Sequence, residues 1–83
     1  MDLVFQTHAW EDYLYWQEQD KKVFARINDL IKDCRRSPLK GLGKPQKGDL
    51  SGCWSRRITD EHRLVYTVWE KRLHILQCRF HYQ

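Results

Sequence analysis

Residues 54–66 read W-S-R-R-I-T-D-E-H-R-L-V-Y, and how the two halves of this stretch pair decides the fold. Residues Cys53–Ile58 and His62–Trp69 are rich in β-branched and aromatic side chains, with Asp60-Glu61 between them, so they read as two strands and a tight turn. Directly opposed residues on an antiparallel pair point to one face. Arg57 and Arg63 therefore share a face only if an odd-length turn joins them, for example Thr59-Asp60-Glu61. A third strand, Leu73–Phe80, follows Glu70-Lys71-Arg72. If that is also a three-residue turn, Arg63 opposes Arg79, and His81 lies two residues further along the same face. Leu64, Tyr66, Leu76, Cys78 and Phe80 then face the other way. One register thus predicts an apolar face and a cationic face. Because Arg56 and Arg57 are adjacent, only one of them can join Arg63. The other must lie on the apolar side, snorkelling at an edge or paired with a carboxylate.

Upstream of this meander the periodicity is helical. Leu3-Val4-Phe5 is a short strand, Thr7 a candidate N-cap, and Trp10, Tyr13, Leu14 and Trp16 give a first helix an apolar stripe. Asp20 caps a second helix with Val23, Ile27, Leu30, Ile31 and Cys34 at helical spacing, ending near Arg35 or Arg36 ahead of Pro38. Residues Ser37–Asp49 contain Pro38, Gly41, Gly43, Pro45 and Gly48 and read as an irregular loop. The expected architecture is α+β: a strand, two helices, then a three-stranded antiparallel meander, with the helices on one face of the sheet.

The 83 residues set the scale of one small domain spanning 1–83, and eleven aromatic side chains with 41% hydrophobic content argue for a folded globule. No run approaches the ~20 apolar residues of a membrane span and no secretory leader is visible, so the chain is expected to be soluble and cytoplasmic. Cys34, Cys53 and Cys78 are odd in number and lack a C-x-x-C spacing, which fits free thiols in a reducing compartment. No grouping of His, Cys or carboxylates has metal-ligand spacing, and neither metal nor cofactor is expected. The net charge of +4 is unevenly spread: residues 1–34 carry four basic and seven acidic side chains, residues 35–63 eight basic and three acidic. A polyanion-binding surface in the second half accounts for that asymmetry, and so does a merely solvated basic face.

Fixed cations beside a titratable imidazole suit metal-free cleavage of an RNA phosphodiester, and equally suit plain phosphate binding. In the first case the adjacent 2′-hydroxyl attacks. A base must take its proton, cations must stabilise the phosphorane-like transition state, and an acid must protonate the departing 5′-oxygen. His81 is the best acid candidate because an imidazole titrates near working pH. Arg63, fixed on a strand, suits forked contacts with phosphate oxygens. His62 and His74 read as structural or surface histidines. Trp54, Trp69 and Tyr82 are candidates to stack on bases, against the commoner core role of a Trp in a small domain.

The chain also resembles the YoeB branch of the RelE-type bacterial toxins. The resemblance rests on W-E-D-Y-L-Y-W-Q at Trp10–Gln17, I-N-D-L-I-K-D at Ile27–Asp33, R-R-S-P at Arg35–Pro38 and G-L-G-K-P at Gly41–Pro45. It continues through L-S-G-x-W-S-R-R-I-T-D-E-H-R-L-V-Y at Leu50–Tyr66 and a terminal H-Y, and so covers nearly the whole chain. It implies a microbial-RNase-like RelE fold and a ribosome-dependent mRNA endonuclease acting in the ribosomal A site. The implied partners are the ribosome and mRNA, a cognate antitoxin of the YefM/Axe type, and a second copy of the chain, since family members often dimerise.

Carried over residue by residue, the catalytic arginine falls on Arg63, the catalytic histidine on His81 and an accessory phosphate-contacting arginine on Arg57. A basic loop residue falls on Lys47 and the terminal tyrosine on Tyr82, here followed by Gln83. Lys44, in the same basic half, joins Arg57, Lys47 and Tyr82 as an RNA-contacting position. One departure stands out. The family's general base is a glutamate just after G-K-P, where this chain has Gln46 in a loop shorter by about two residues. An amide has no useful basicity. Either another group takes the role, Glu61 and Asp49 being the nearby carboxylates, or the chain is a weakened or inactive variant that binds without cutting. A free RNA-binding domain unrelated to translation is the third reading.

Overall fold

The computed structural model describes residues 1–38, the backbone of 44–45, and residues 52–80. Its elements are β1 (Asp2–Phe5), α1 (Thr7–Gln19), α2 (Lys21–Arg36), β2 (Lys44–Pro45), β3 (Trp54–Arg57), β4 (Arg63–Trp69) and β5 (Arg72–Gln77). They form one mixed sheet in the order β1-β5-β4-β3-β2, with both helices packed on one face, as the α+β reading expects. β1 runs parallel to β5, with Leu3 opposite Leu73 and Phe5 opposite Ile75. A parallel neighbour requires a long crossover, and the two helices supply it.

α2 follows its sequence signals closely. The Asp20 carboxylate accepts hydrogen bonds from the amides of Lys22 (3.0 Å) and Val23 (3.1 Å), filling two of the orphan donors at the helix start. Ile27, Leu30, Ile31 and Cys34 are buried against Ile58, Leu64, Tyr66, Leu73, Ile75 and Cys78. α1 departs from expectation. Thr7 is its first helical residue, preceded by Gln6, which makes no side-chain cap. The buried positions are Ala9, Asp12 and Trp16, while Trp10 and Leu14 are exposed. The stripe is rotated because a buried Asp12 takes a place that the hydrophobic pattern assigns to an apolar residue.

The β3–β4 register is the expected one: Arg57 opposes Arg63 and Arg56 opposes Leu64. The Ile58 amide donates to the His62 carbonyl at 2.9 Å, which leaves Thr59-Asp60-Glu61 as a three-residue turn. The β4–β5 turn is a correction. Trp69 pairs with Arg72, so the turn is the two-residue Glu70-Lys71, both residues left-handed (φ 51 and 60). This is the hairpin geometry whose twist matches the strands, here formed without the Asn or Gly that usually signals it. Leu73 and Ile75, rather than Leu76, therefore face the helices. A β-bulge then leaves Leu76 unpaired between Tyr66–Ile75 and Val65–Gln77, and this extra residue returns Cys78 to the core. Phe80 is no core residue either; it is 47% exposed.

The loop expected to be irregular contributes the short edge strand β2, with Lys44 opposite Ser55 and Pro45 opposite Trp54. An edge is where a sheet tolerates proline. Among the described residues no helix is long and apolar enough to cross a membrane.

Candidate active site

Alternation along β3 sends Arg56 to the helix side and Ser55 and Arg57 to the outer face. Arg56 is fully buried. Its guanidinium pairs with the Asp33 carboxylate on α2, donates to the Ser37 carbonyl at 2.7 Å, and reaches the Tyr66 hydroxyl at 3.2 Å. Tyr66 passes its own proton to the Pro38 carbonyl at 2.7 Å. The network thus ties carbonyls just past the end of α2 to the centre of the sheet. Burial works against the Arg56 charge, but the bonds to Tyr66 and Asp33 outweigh it and its pKa is raised. Burial pushes the Tyr66 hydroxyl up to about 12, so both groups hold their protons.

On the opposite face Arg63 and Arg57 form the expected pair. The Arg63 Nε donates to Ser55 Oγ at 2.9 Å, and Ser55 is itself fully buried. No other bond to the Arg63 guanidinium occurs among the described residues. Arg57 is exposed and meets Asp60 at 3.5 Å, an ion pair in water that contributes little and yields readily to a phosphate. In the backbone register Lys44 belongs to the row of Ser55 and Val65, next to the Arg57–Arg63 row. Gln46, Lys47, His81 and Tyr82 lie outside the described residues, as does Asp49. Glu61 sits exposed on the turn, where its amide donates to Thr59 Oγ1.

Arg79 does not join the cationic face. Its guanidinium stacks on the Tyr15 ring of α1, 3.6 Å from the centroid, and the expected opposition to Arg63 is replaced by a bond from the Arg63 amide to the Phe80 carbonyl at 3.1 Å. The His62 ring packs against Trp16 and Phe80, and Trp54 packs on the core while Trp69 is 62% exposed. No group of three potential metal ligands occurs among the described residues.

Ser55 is the residue that sequence reading missed. It lies diagonally across from Arg63 once the Arg57–Arg63 register is set, and that diagonal was the available signal. α1 contributes a second unforeseen feature. Asp12 accepts the Cys78 amide at 3.1 Å and Trp16 Nε1 donates to the Cys78 carbonyl at 2.8 Å, so two side chains one helical turn apart hold both polar groups of one residue. Burial, with the Asp12 charge adding, pushes the Cys78 thiol up to about 12 from 9.0. The unfolded thiol ionises from about pH 9 while the folded one stays protonated, so stability falls as pH rises from about 9 to 12. The loss reaches up to about 4 kcal/mol. Urea midpoints between pH 8 and 11 should drop steeply for the native chain and less steeply for Cys78→Ala; parallel slopes would refute this assignment.

A mixed sheet with two helices on one face and an arginine pair on the other makes a small α+β domain. Residues 5–82 match the family of YoeB-like toxins of bacterial type II toxin-antitoxin systems. Toxin YoeB of Escherichia coli K12 is 57% identical over 84 residues, covering 99% of this chain and 100% of the relative. A YoeB/ParE toxin from Agrobacterium tumefaciens superposes with a TM-score of 0.94 at 50% identity, covering 99% of this chain and all of that one. The toxin of a YoeB-YefM complex from Staphylococcus aureus does so with 0.88 at 41%, covering 99% and 98%. The chain belongs to the YoeB toxin family of bacterial toxin–antitoxin systems.

Proposed function

We propose that residues 1–83 act as one toxin domain, a ribosome-dependent endonuclease that cuts mRNA in the ribosomal A site and so inhibits translation in the cytoplasm. The observation that carries this reading is the Arg63 fork, pinned through Nε by a buried Ser55 and set opposite Arg57. Two such cations span a phosphodiester and match the charge that builds on its non-bridging oxygens when the 2′-oxygen attacks. The P–O5′ bond breaks as the 2′-O–P bond forms, leaving a cyclic phosphate and a 5′-hydroxyl. His81 gives its proton to the departing 5′-oxygen. Lys44, Lys47 and Tyr82 contact the RNA.

The base is the incomplete part. Gln46 occupies the position of the family's glutamate and takes up no proton. That substitution favours one alternative, a catalytically weakened or inactive homologue that engages ribosome and antitoxin without cutting. The Staphylococcus aureus relative is bound to YefM, and another structure of it is a YoeB dimer. By analogy the partners here are a YefM-like antitoxin and a second copy of the chain.

Mapping cuts on mRNA in a purified translation system separates the two readings. The enzyme requires cleavage that depends on ribosomes and vanishes in His81→Ala. Intact mRNA beside demonstrable ribosome binding establishes the inactive homologue instead. Gln46→Glu, combined with a loop lengthened to the family's size, should raise the rate by roughly 10²–10⁴-fold, the contribution of a positioned base. No gain would mean that the base is not what the loop lacks.

A further inference from the structure

Phe80 has φ 61, the left-handed region that an aromatic residue rarely enters. Glu70 and Lys71 adopt it inside a hairpin, but Phe80 sits outside any regular element, so something else must hold it there. Its amide donates to His62 Nδ1 at 2.6 Å, and its carbonyl accepts the Arg63 amide at 3.1 Å. Both polar groups of Phe80 are thus bound by consecutive residues at the start of β4.

The His62 ring is fixed in turn. It meets the Trp16 ring edge-on at 4.8 Å and the Phe80 ring at 5.3 Å. The His62 carbonyl accepts the amides of Ile58 and Thr59, and the His62 amide donates to Thr59 Oγ1. An Nδ1 that accepts a hydrogen bond carries no proton, so the imidazole is the neutral Nε2–H form. The turn carrying the candidate catalytic arginine therefore also grips the residue immediately before His81.

We propose that His62 is a positioning residue. Its imidazole holds Phe80, the residue before His81 in the sequence, in the left-handed bend beside Arg63. The consequence for catalysis rests on the cleavage reading above; the anchor itself does not.

In the wild-type chain, a 15N–15N coupling across the hydrogen bond should link the Phe80 amide to His62 Nδ1, and that amide should exchange slowly. His62→Asn, whose Oδ1 replaces Nδ1 as acceptor, should keep the slow exchange and cut mRNA within about threefold of the wild-type single-turnover rate. His62→Leu should lose at least tenfold of the Phe80 protection and shift the His81 resonances. Its cleavage rate should fall about 10- to 100-fold with unchanged affinity for ribosomes, the scale expected for a small displacement of a catalytic group. Absence of the coupling, or a Phe80 amide equally protected in wild type and His62→Leu, overturns the anchor, and the coupling decides the matter even if the Leu variant does not fold. Equal cleavage rates in spite of lost protection overturn its role in positioning. A wild-type chain that leaves mRNA intact on ribosomes counts against the cleavage reading alone, and the Phe80 and His81 measurements still decide the anchor.

Discussion

Arg63→Ala should lower the single-turnover rate of ribosome-dependent mRNA cleavage by about 10³-fold or more, the scale on which removing a preorganised transition-state donor or an arginine acts. The loss should appear in the chemical step, because phosphate charge grows as the 2′-oxygen attacks and the Arg63 fork faces that growth more than it faces the ground state. Arg63→Lys should recover little: an ammonium is a point charge and lacks the planar fork that Ser55 orients through Nε. Ser55→Ala should cost less, since it frees the guanidinium without removing it. Neither Arg63 variant should unfold the protein, because the only bond of the Arg63 side chain among the described residues is that to Ser55. Cleavage assays on programmed ribosomes, with thermal unfolding as a control, make the comparison. A near-wild-type rate for Arg63→Ala would remove the arginine pair from the mechanism.

Arg56→Ala should do the opposite, destabilising the fold by about 3–5 kcal/mol, the usual result of breaking a buried pair from one side. It leaves the Ser37 carbonyl without its guanidinium donor, takes the buried partner from the Asp33 carboxylate and leaves the Tyr66 hydroxyl with its Pro38 bond alone. In a domain whose whole stability is about 5–15 kcal/mol, such a loss leaves a substantial unfolded fraction. Asp33→Ala should approach the same magnitude, tempered by the partial exposure of its carboxylate. The double variant Arg56→Met with Asp33→Ala should be milder than the sum, since it removes both charges and refills the volume. Urea midpoints of the three variants test this. Strict additivity would show that the two side chains do not act as a pair. Adjacent arginines thus divide labour by strand parity, Arg56 holding the helix layer to the sheet and Arg57 facing outward from it.

That division was legible in the sequence, because alternation forces Arg56 and Arg57 apart and only one of them can accompany Arg63. The identity of the Arg56 partner was not, since Asp33 is 23 residues away in another element. α2 was legible from Asp20 to Cys34 because its cap and apolar stripe agree. On α1, Tyr13 and Trp16 pack on the core as the apolar stripe expects, while Trp10 and Leu14 do not, because the buried Asp12 serves the backbone of Cys78 and breaks the pattern. At the β4–β5 hairpin, Glu70 and Lys71 carry no sign of left-handed backbone, so a two-residue turn and a compensating bulge at Leu76 looked like one longer turn. The two shifts cancel beyond the bulge, which is why Leu64 and Cys78 share the core as expected although Leu76 does not. Ser55 and His62 went unassigned as supports because their roles exist only once the strands are registered.

The parallel pairing of β1 with β5 bears on how such a chain is made. Residues 2–5 are made well before their sheet partners, residues 72–75. α1 and α2 can coil on local contacts, but β5, the strand that joins β1 to β4, must be in place before the sheet closes. The sheet that displays Arg63 therefore closes only when strands far apart in sequence have met, so its outer face is among the last parts of the fold to form.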